Sequence, residues 1–172
     1  MSTNWSFATT ITQYAEDSSH IPWKDSGTGF YEALYNDNVY LETTKSLLHI
    51  PRAPINDLTM KTWFLKFTEF TFNNIPNTIS GVIAELGMSR GGRITDDTIQ
   101  LTYNNVLIGE NYANLGLDIV KQYGSSTDLW EANLTNTIIN DPTFGIVLRF
   151  RSHPSWPHNS TPMVDYIRLI VY

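Results

Sequence analysis

The clearest alternation of apolar and polar positions lies in the last third of the chain. Phe144, Ile146, Leu148 and Phe150 alternate with Gly145, Val147, Arg149 and Arg151, while Ile167, Leu169 and Val171 share one face of the stretch Met163 to Tyr172. A period of two marks a strand with one face buried. The linker from His153 to Pro162 predicts that these two strands pair as an antiparallel hairpin. Upstream, Ile99, Leu101 and Tyr103 alternate with Thr98, Gln100 and Thr102, a half-buried strand with a wet outer face. Asn104-Asn105 then turns the chain into Val106-Leu107-Ile108. Val82, Ala84, Leu86 and Met88 form one face of another strand, opposite Ile79, Gly81 and Ile83, ending at the glycine turn Arg90-Gly91-Gly92-Arg93. Leu65 and Phe67, then Phe70 and Phe72, alternate in two stretches whose slip at Thr68-Glu69 predicts a bulge or bend. Thr135 reads as the N-cap of one helical turn through Ile138 and Ile139, stopped by Pro142.

The first part of the chain is weakly patterned. Ser18 to Pro22, Asp25 to Gly29 and Arg52 to Asp57 are loop sequences, and Asn38 to Glu42 reads as a first strand. The expected organisation is therefore an extended, loop-rich N-terminal arm over 1–58 contributing at least one strand, followed by a β-sandwich domain over 59–172. Trp5, Phe7, Trp23, Phe30, Tyr31 and Tyr35 give this arm aromatic anchors of the kind found in buried contact surfaces. They are expected to be ordered by contact with other subunits.

Composition agrees with the alternation. Of 172 residues, 20 are Thr and 15 Asn, against only 7 Ala, so strand and turn formers outnumber helix formers. The fold class is all-β, an antiparallel sandwich. Net charge is −6 and charged residues make up 16%, which disfavours a grip on a phosphate backbone. The absence of cysteine excludes disulfides, thiolate nucleophiles and Cys-ligated metals. Met1 to Ser6 lacks the basic start and apolar run of a signal peptide. No apolar run reaches membrane-spanning length, so neither membrane nor nucleic acid is an expected partner.

Candidate chemistry is sparse. His153 and His158 lie five apart, with Asp165 as a third conceivable ligand, but two prolines dictate that loop and no metal site is expected. Asp96, Asp97, Asp128, Glu131, Asp141 and Asp165 show no spacing that separates a catalytic pair from turn-capping carboxylates. No catalytic set and no cofactor are expected. The sequons at Asn4, Asn133 and Asn159 read as chance in a chain rich in Asn and Thr. Trp5, Trp23 and Trp156 lie in loop-like segments, where they either stack on sugars or plug the sandwich and its subunit contacts. In the segment Asp128-Leu129-Trp130, Trp130 and Leu129 are expected to plug the sandwich end while Asp128 caps backbone amides.

Four motifs occur in a recurrent order: Phe70-Thr71-Phe72-Asn73-Asn74-Ile75-Pro76 with Thr78 to Val82; Tyr123-Gly124-Ser125-Ser126-Thr127-Asp128-Leu129-Trp130; Phe144 to Arg149; and Val164-Asp165-Tyr166-Ile167-Arg168-Leu169-Ile170-Val171-Tyr172. Together they resemble the jelly-roll structural proteins of tailed-bacteriophage virions, of the capsid decoration, neck or tail appendage type. Asn36 to Tyr40 is a weaker match upstream. The likeness spans roughly 63–172. It departs from the family pattern at Glu131, where Gly is usual, and at Ser125, where a second Gly is common. The resemblance implies a jelly-roll topology and a non-enzymatic role on the exterior of the virion, first as a capsid decoration (cement) subunit. Neck or tail fibre subunits are the near alternative. Its partners would be other virion proteins, in a homo-oligomer. A carbohydrate-binding module recognising a host-surface glycan is the alternative of a different class.

Overall fold

Short runs of β-branched and aromatic residues, broken by Asn, Gly and Pro, make the regular structure of the described residues nearly all β. The computed structural model describes residues 4–16, 18–24, 30, 33–34, 36, 39–50, 58–88, 94–114, 120–152 and 158–172, with the backbone alone at 48–50, 58–59 and 158–159. The strands are β1 (Ser6–Phe7), β2 (Thr10–Tyr14), β3 (Leu41–Glu42), β4 (Leu47–Ile50), β5 (Leu58–Thr59), β6 (Phe64–Thr68), β7 (Val82–Met88), β8 (Ile94–Tyr103), β9 (Val106–Ile108), β10 (Val120–Gly124), β11 (Gly145–Ser152), β12 (His158–Ser160) and β13 (Met163–Val171). One helical turn, α1, spans Asn136–Ile139, with Thr135 accepting from the Ile138 amide as its N-cap.

Two antiparallel sheets face each other across the core. One runs β1-β13-β7-β10, with β3 also on β13; the other runs β2-β6-β11-β8-β9. A small third sheet, β12-β4-β5, stands beside them. Leu65, Phe67, Ile99, Leu101, Ile146 and Leu148 from one sheet meet Val82, Ala84, Leu86, Ile167, Leu169 and Val171 from the other, all sealed from water. That is the interdigitated interior of a β-sandwich.

Several expectations need correction. β11 and β13 do not form a hairpin. β11 pairs β6 and β8, whereas β13 pairs β1, β3 and β7, so the linker between them carries the chain from one sheet to the other. The outer face of β8 is not wet: Thr98 and Thr102 are buried there, beside the equally buried Val147 and Arg149 of β11. Phe70 and Phe72 lie beyond the end of β6, stacked on each other at 6.0 Å. The slip at Thr68-Glu69 is a bend in which Glu69 adopts φ 59°. Asn104 and Asn105 both have positive φ, the type I′ geometry that suits a two-residue hairpin between β8 and β9. The turn expected at Arg90 to Arg93 lies outside the described residues.

The N-terminal segment differs most. Its described part supplies β1 to β4, within the expected at least one strand, and it edges both large sheets: β1 on β13 and β2 on β6. Trp23 is 1% exposed and Phe30 7%, buried in this chain's own core. Tyr31 and Tyr35 lie outside the described residues. The anchors assigned to subunit contacts are thus, at Trp23 and Phe30, anchors of the fold.

Candidate functional site

The segment after β10 builds one end of the sandwich. Gly124 closes β10 at φ +78°, and a Cβ there would collide with the Val82 carbonyl and the Trp130 indole. Asp128 then organises the turn. Its Oδ1 accepts from the Trp130 amide at 2.7 Å, its Oδ2 accepts from the Tyr112 hydroxyl at 2.8 Å, and its carbonyl accepts from the Val82 amide at 3.0 Å. Trp130 is fully buried: its Nε1 donates to the Val82 carbonyl at 2.9 Å and its ring meets Tyr112 edge-on at 4.6 Å. Leu129 is half-buried against the same cluster. Tyr112 in turn donates its amide to Ile99 of β8. One turn therefore ties β7 and β10 of one sheet to β8 of the other. The hydrogen bond to Asp128, with burial and the negative charge of that carboxylate behind it, pushes the Tyr112 phenol up to about 12.

The other tryptophans divide. Trp23 donates its indole N–H to the Trp63 carbonyl at 2.9 Å and meets Phe150 edge-on at 5.9 Å, so it cannot stack on a sugar. Trp5 is half-buried beneath the Arg168 guanidinium at 4.5 Å. Trp156 lies outside the described residues. His153 does too, and His158 stands opposite His49 in the β12–β4 pair. Among the described residues no three His, Asp or Glu side chains cluster to hold a metal.

The carboxylates are held by cations and hydroxyls. Both oxygens of Asp96 take the Lys121 ammonium at 3.0 Å, one also takes the Tyr123 hydroxyl at 2.7 Å, and the whole group is buried. Asp97 pairs with Lys61 at 3.0 Å and with Arg149, which also reaches Glu16. Glu85 takes Arg168 at 2.7 Å, the Tyr166 hydroxyl and the Gln122 amide, each at 2.8 Å. Burial would raise the Glu85 carboxyl, yet these partners outweigh it and hold it below the usual range. Asp141 caps a turn through Thr143. These interior ion pairs escaped the sequence reading, although one signal pointed to them. Ile94 and Ile99 are five apart, an odd spacing that breaks the period of two. The break is a bulge: Thr98 faces Arg149 but Asp96 faces Phe150, leaving Asp97 as the extra residue. Asp165 is the extra residue of a matching bulge in β13.

Among the described residues, two depressions on the surface stand out. One, of about 170 Å³, is lined by Asp96, Asp97, Asn111, Ala113, Asn114 and Arg151, and its carboxylates are those already paired. The other, of about 430 Å³, crosses the outer face of the sheet β2-β6-β11-β8-β9 and is lined by Thr12, Gln13, Tyr14, Lys66, Thr102 and Asn105. Among the described residues, no carboxylate lines it. No protein-family model matches the chain, and no curated protein matches it.

Proposed function

We propose that this chain is a non-enzymatic structural subunit on the exterior of a tailed-phage particle, of the capsid decoration, neck or tail appendage kind, folded as a jelly roll. The observation that carries the reading is the turn from Tyr123 to Trp130. It is one of the four motifs of the resemblance, and its buried groups are engaged in packing and hydrogen bonds that hold the end of the sandwich, with Trp130 on β7 and Asp128 linked through Tyr112 to β8 of the other sheet. A sequence that recurs for architecture needs no catalytic role. The strand order supports the jelly roll. β1-β13-β7-β10 faces β6-β11-β8-β9, and outside the β8–β9 hairpin the successive strands β6, β7, β8, β10, β11 and β13 change sheet at every step. Two interlocked Greek keys produce that alternation. Burial of Trp23 and Phe30 in the chain's own core removes the argument for an arm reaching over neighbouring subunits, so head, neck and tail positions stand level. The test is peptide mass spectrometry of purified virions, then a reconstruction into which this sandwich is fitted. Density on the outer surface of head, neck or tail is the expected result. A particle that lacks the chain overturns the reading.

A further inference from the structure

The groove on the outer face of the β2-β6-β11-β8-β9 sheet has a construction of its own. Register places Thr12 opposite Lys66 and Tyr14 opposite Phe64, with Val147 of β11 on the far side of Lys66 and the Arg149 guanidinium over the Phe64 ring. A third row runs Thr10, Thr68, Gly145, Thr102, with Gly145 packed so closely on β6 that a Cβ there would collide with the Phe67 carbonyl. Lys66 reaches from β6 to the side-chain carbonyl of Asn105, in the turn after β8, at 2.6 Å. Tyr14 is held flat by stacking on Phe64 at 4.9 Å and 19°, and Phe64 is capped by the Arg149 guanidinium at 4.1 Å. Yet the Tyr14 ring is 39% exposed, a large aromatic kept rigid with one side open.

We propose that this groove binds an acidic pyranose, a sugar ring bearing a single carboxylate, with the ring on Tyr14 and the carboxylate at Lys66. A rigid exposed phenol ring supplies the flat apolar platform that a pyranose C–H face packs against. The hydroxyl of Thr12 and the side-chain NH2 of Asn105 supply hydrogen-bonding groups around it; Gln13 and Thr102 do not, because the Gln13 side chain is bound to the Trp23 backbone and the Thr102 hydroxyl donates to the Val106 carbonyl. The volume suits one or two sugar rings rather than a polymer groove. Charge sets the class of sugar. Among the described residues Lys66 makes no ion pair, its partner being a neutral amide, whereas the neighbouring Arg149 is met by Asp97 and Glu16. The groove thus carries one uncompensated positive charge in a chain of net charge −6. That favours a monoanion and disfavours a phosphorylated ligand with two or more charges. Among the described residues no carboxylate lines the groove, so the proposal is one of binding. The inference does not rest on a virion location.

The experiment titrates the full chain, ¹⁵N-labelled, with sialyllactose, trigalacturonate, lactose, maltotriose and AMP. An acidic sugar is expected to shift the amides of Thr12, Tyr14, Lys66 and Thr102, and to bind about tenfold more tightly than its neutral counterpart. Tyr14→Ala should weaken that sugar about tenfold, Tyr14→Phe should keep the affinity, and Lys66→Met should abolish the preference for the acid. Melting each variant separates lost binding from lost folding. Equal binding of neutral and acidic sugars, tighter binding of AMP, or no shift at these amides with any probe overturns the proposal.

Discussion

Two adjacent residues at the end of the sandwich carry opposite expectations. Trp130 lies where both sheets meet, and replacing it with Ala removes a full indole together with its bond to Val82. Trp130→Ala is expected to cost about 3–5 kcal/mol, read as a lowered midpoint in chemical denaturation. An unchanged midpoint would show that the turn does not hold the end together. Its neighbour Glu131 has φ 53°, a left-handed conformation that only glycine adopts without cost, and its side chain is exposed. Glu131→Gly is therefore expected to raise stability by up to about 1 kcal/mol, measured in the same titration. The departure from Gly noted at this position in the sequence thus carries a strain cost. The same left-handed geometry at Asn104 and Asn105 was legible in advance, because Asn-Asn between two apolar runs signals a tight hairpin turn.

At the scale of elements, the sheets are joined by charge as well as by apolar packing. β8 sends Asp96 inward to Lys121 and Tyr123 of β10, in the opposite sheet, with both charged side chains no more than 5% exposed. Breaking one partner of a buried pair strands the other without solvation. Asp96→Asn is expected to destabilise by about 3–5 kcal/mol, and the double variant with Lys121→Met to recover most of that loss. A double variant as unstable as Asp96→Asn alone would show that the pair itself is not what matters. Sequence pattern located β8 at Ile99 to Tyr103 but missed its first half. Asp96 and Asp97 look like turn residues, and only the bulge at Asp97 lets a strand pass through them with one carboxylate turned inward.

For the whole molecule, two hydrogen-bonded phenols, Tyr166 buried and Tyr112 partly buried, are expected to set an alkaline limit. Tyr112 is pushed up to about 12 by its bond to Asp128, and Tyr166 to about 12 by burial first and by its bond to Glu85 second. Both are neutral in the folded and unfolded chain below pH 10. Between about pH 10 and 12 only the unfolded chain ionises at these positions, so their contribution is intact below 10 and is lost as pH rises towards 12. Melting temperature is expected to fall across that window, and to fall less in the double variant Tyr112→Phe, Tyr166→Phe. An identical fall in both proteins would assign the alkaline limit to other groups.

Alternation of apolar and polar residues by itself determined the all-β class, the strands at Val82 to Met88, Ile99 to Tyr103, Gly145 to Phe150 and Met163 to Val171, and the capped turn at Thr135. These are local properties, set by a two-residue period and by side chains that reach neighbouring amides. Tertiary structure alone decided that β11 and β13 belong to different sheets, because a period of two says that a face is buried but not against which partner. It decided the fate of the N-terminal segment, where Trp23 and Phe30 find cover at positions distant in sequence. It also decided that interior carboxylates meet cations on facing strands, and that Tyr14 stands open over a groove built from three separate strands. Each of these depends on residues brought together from far apart along the chain, and no local window contains both members of the contact.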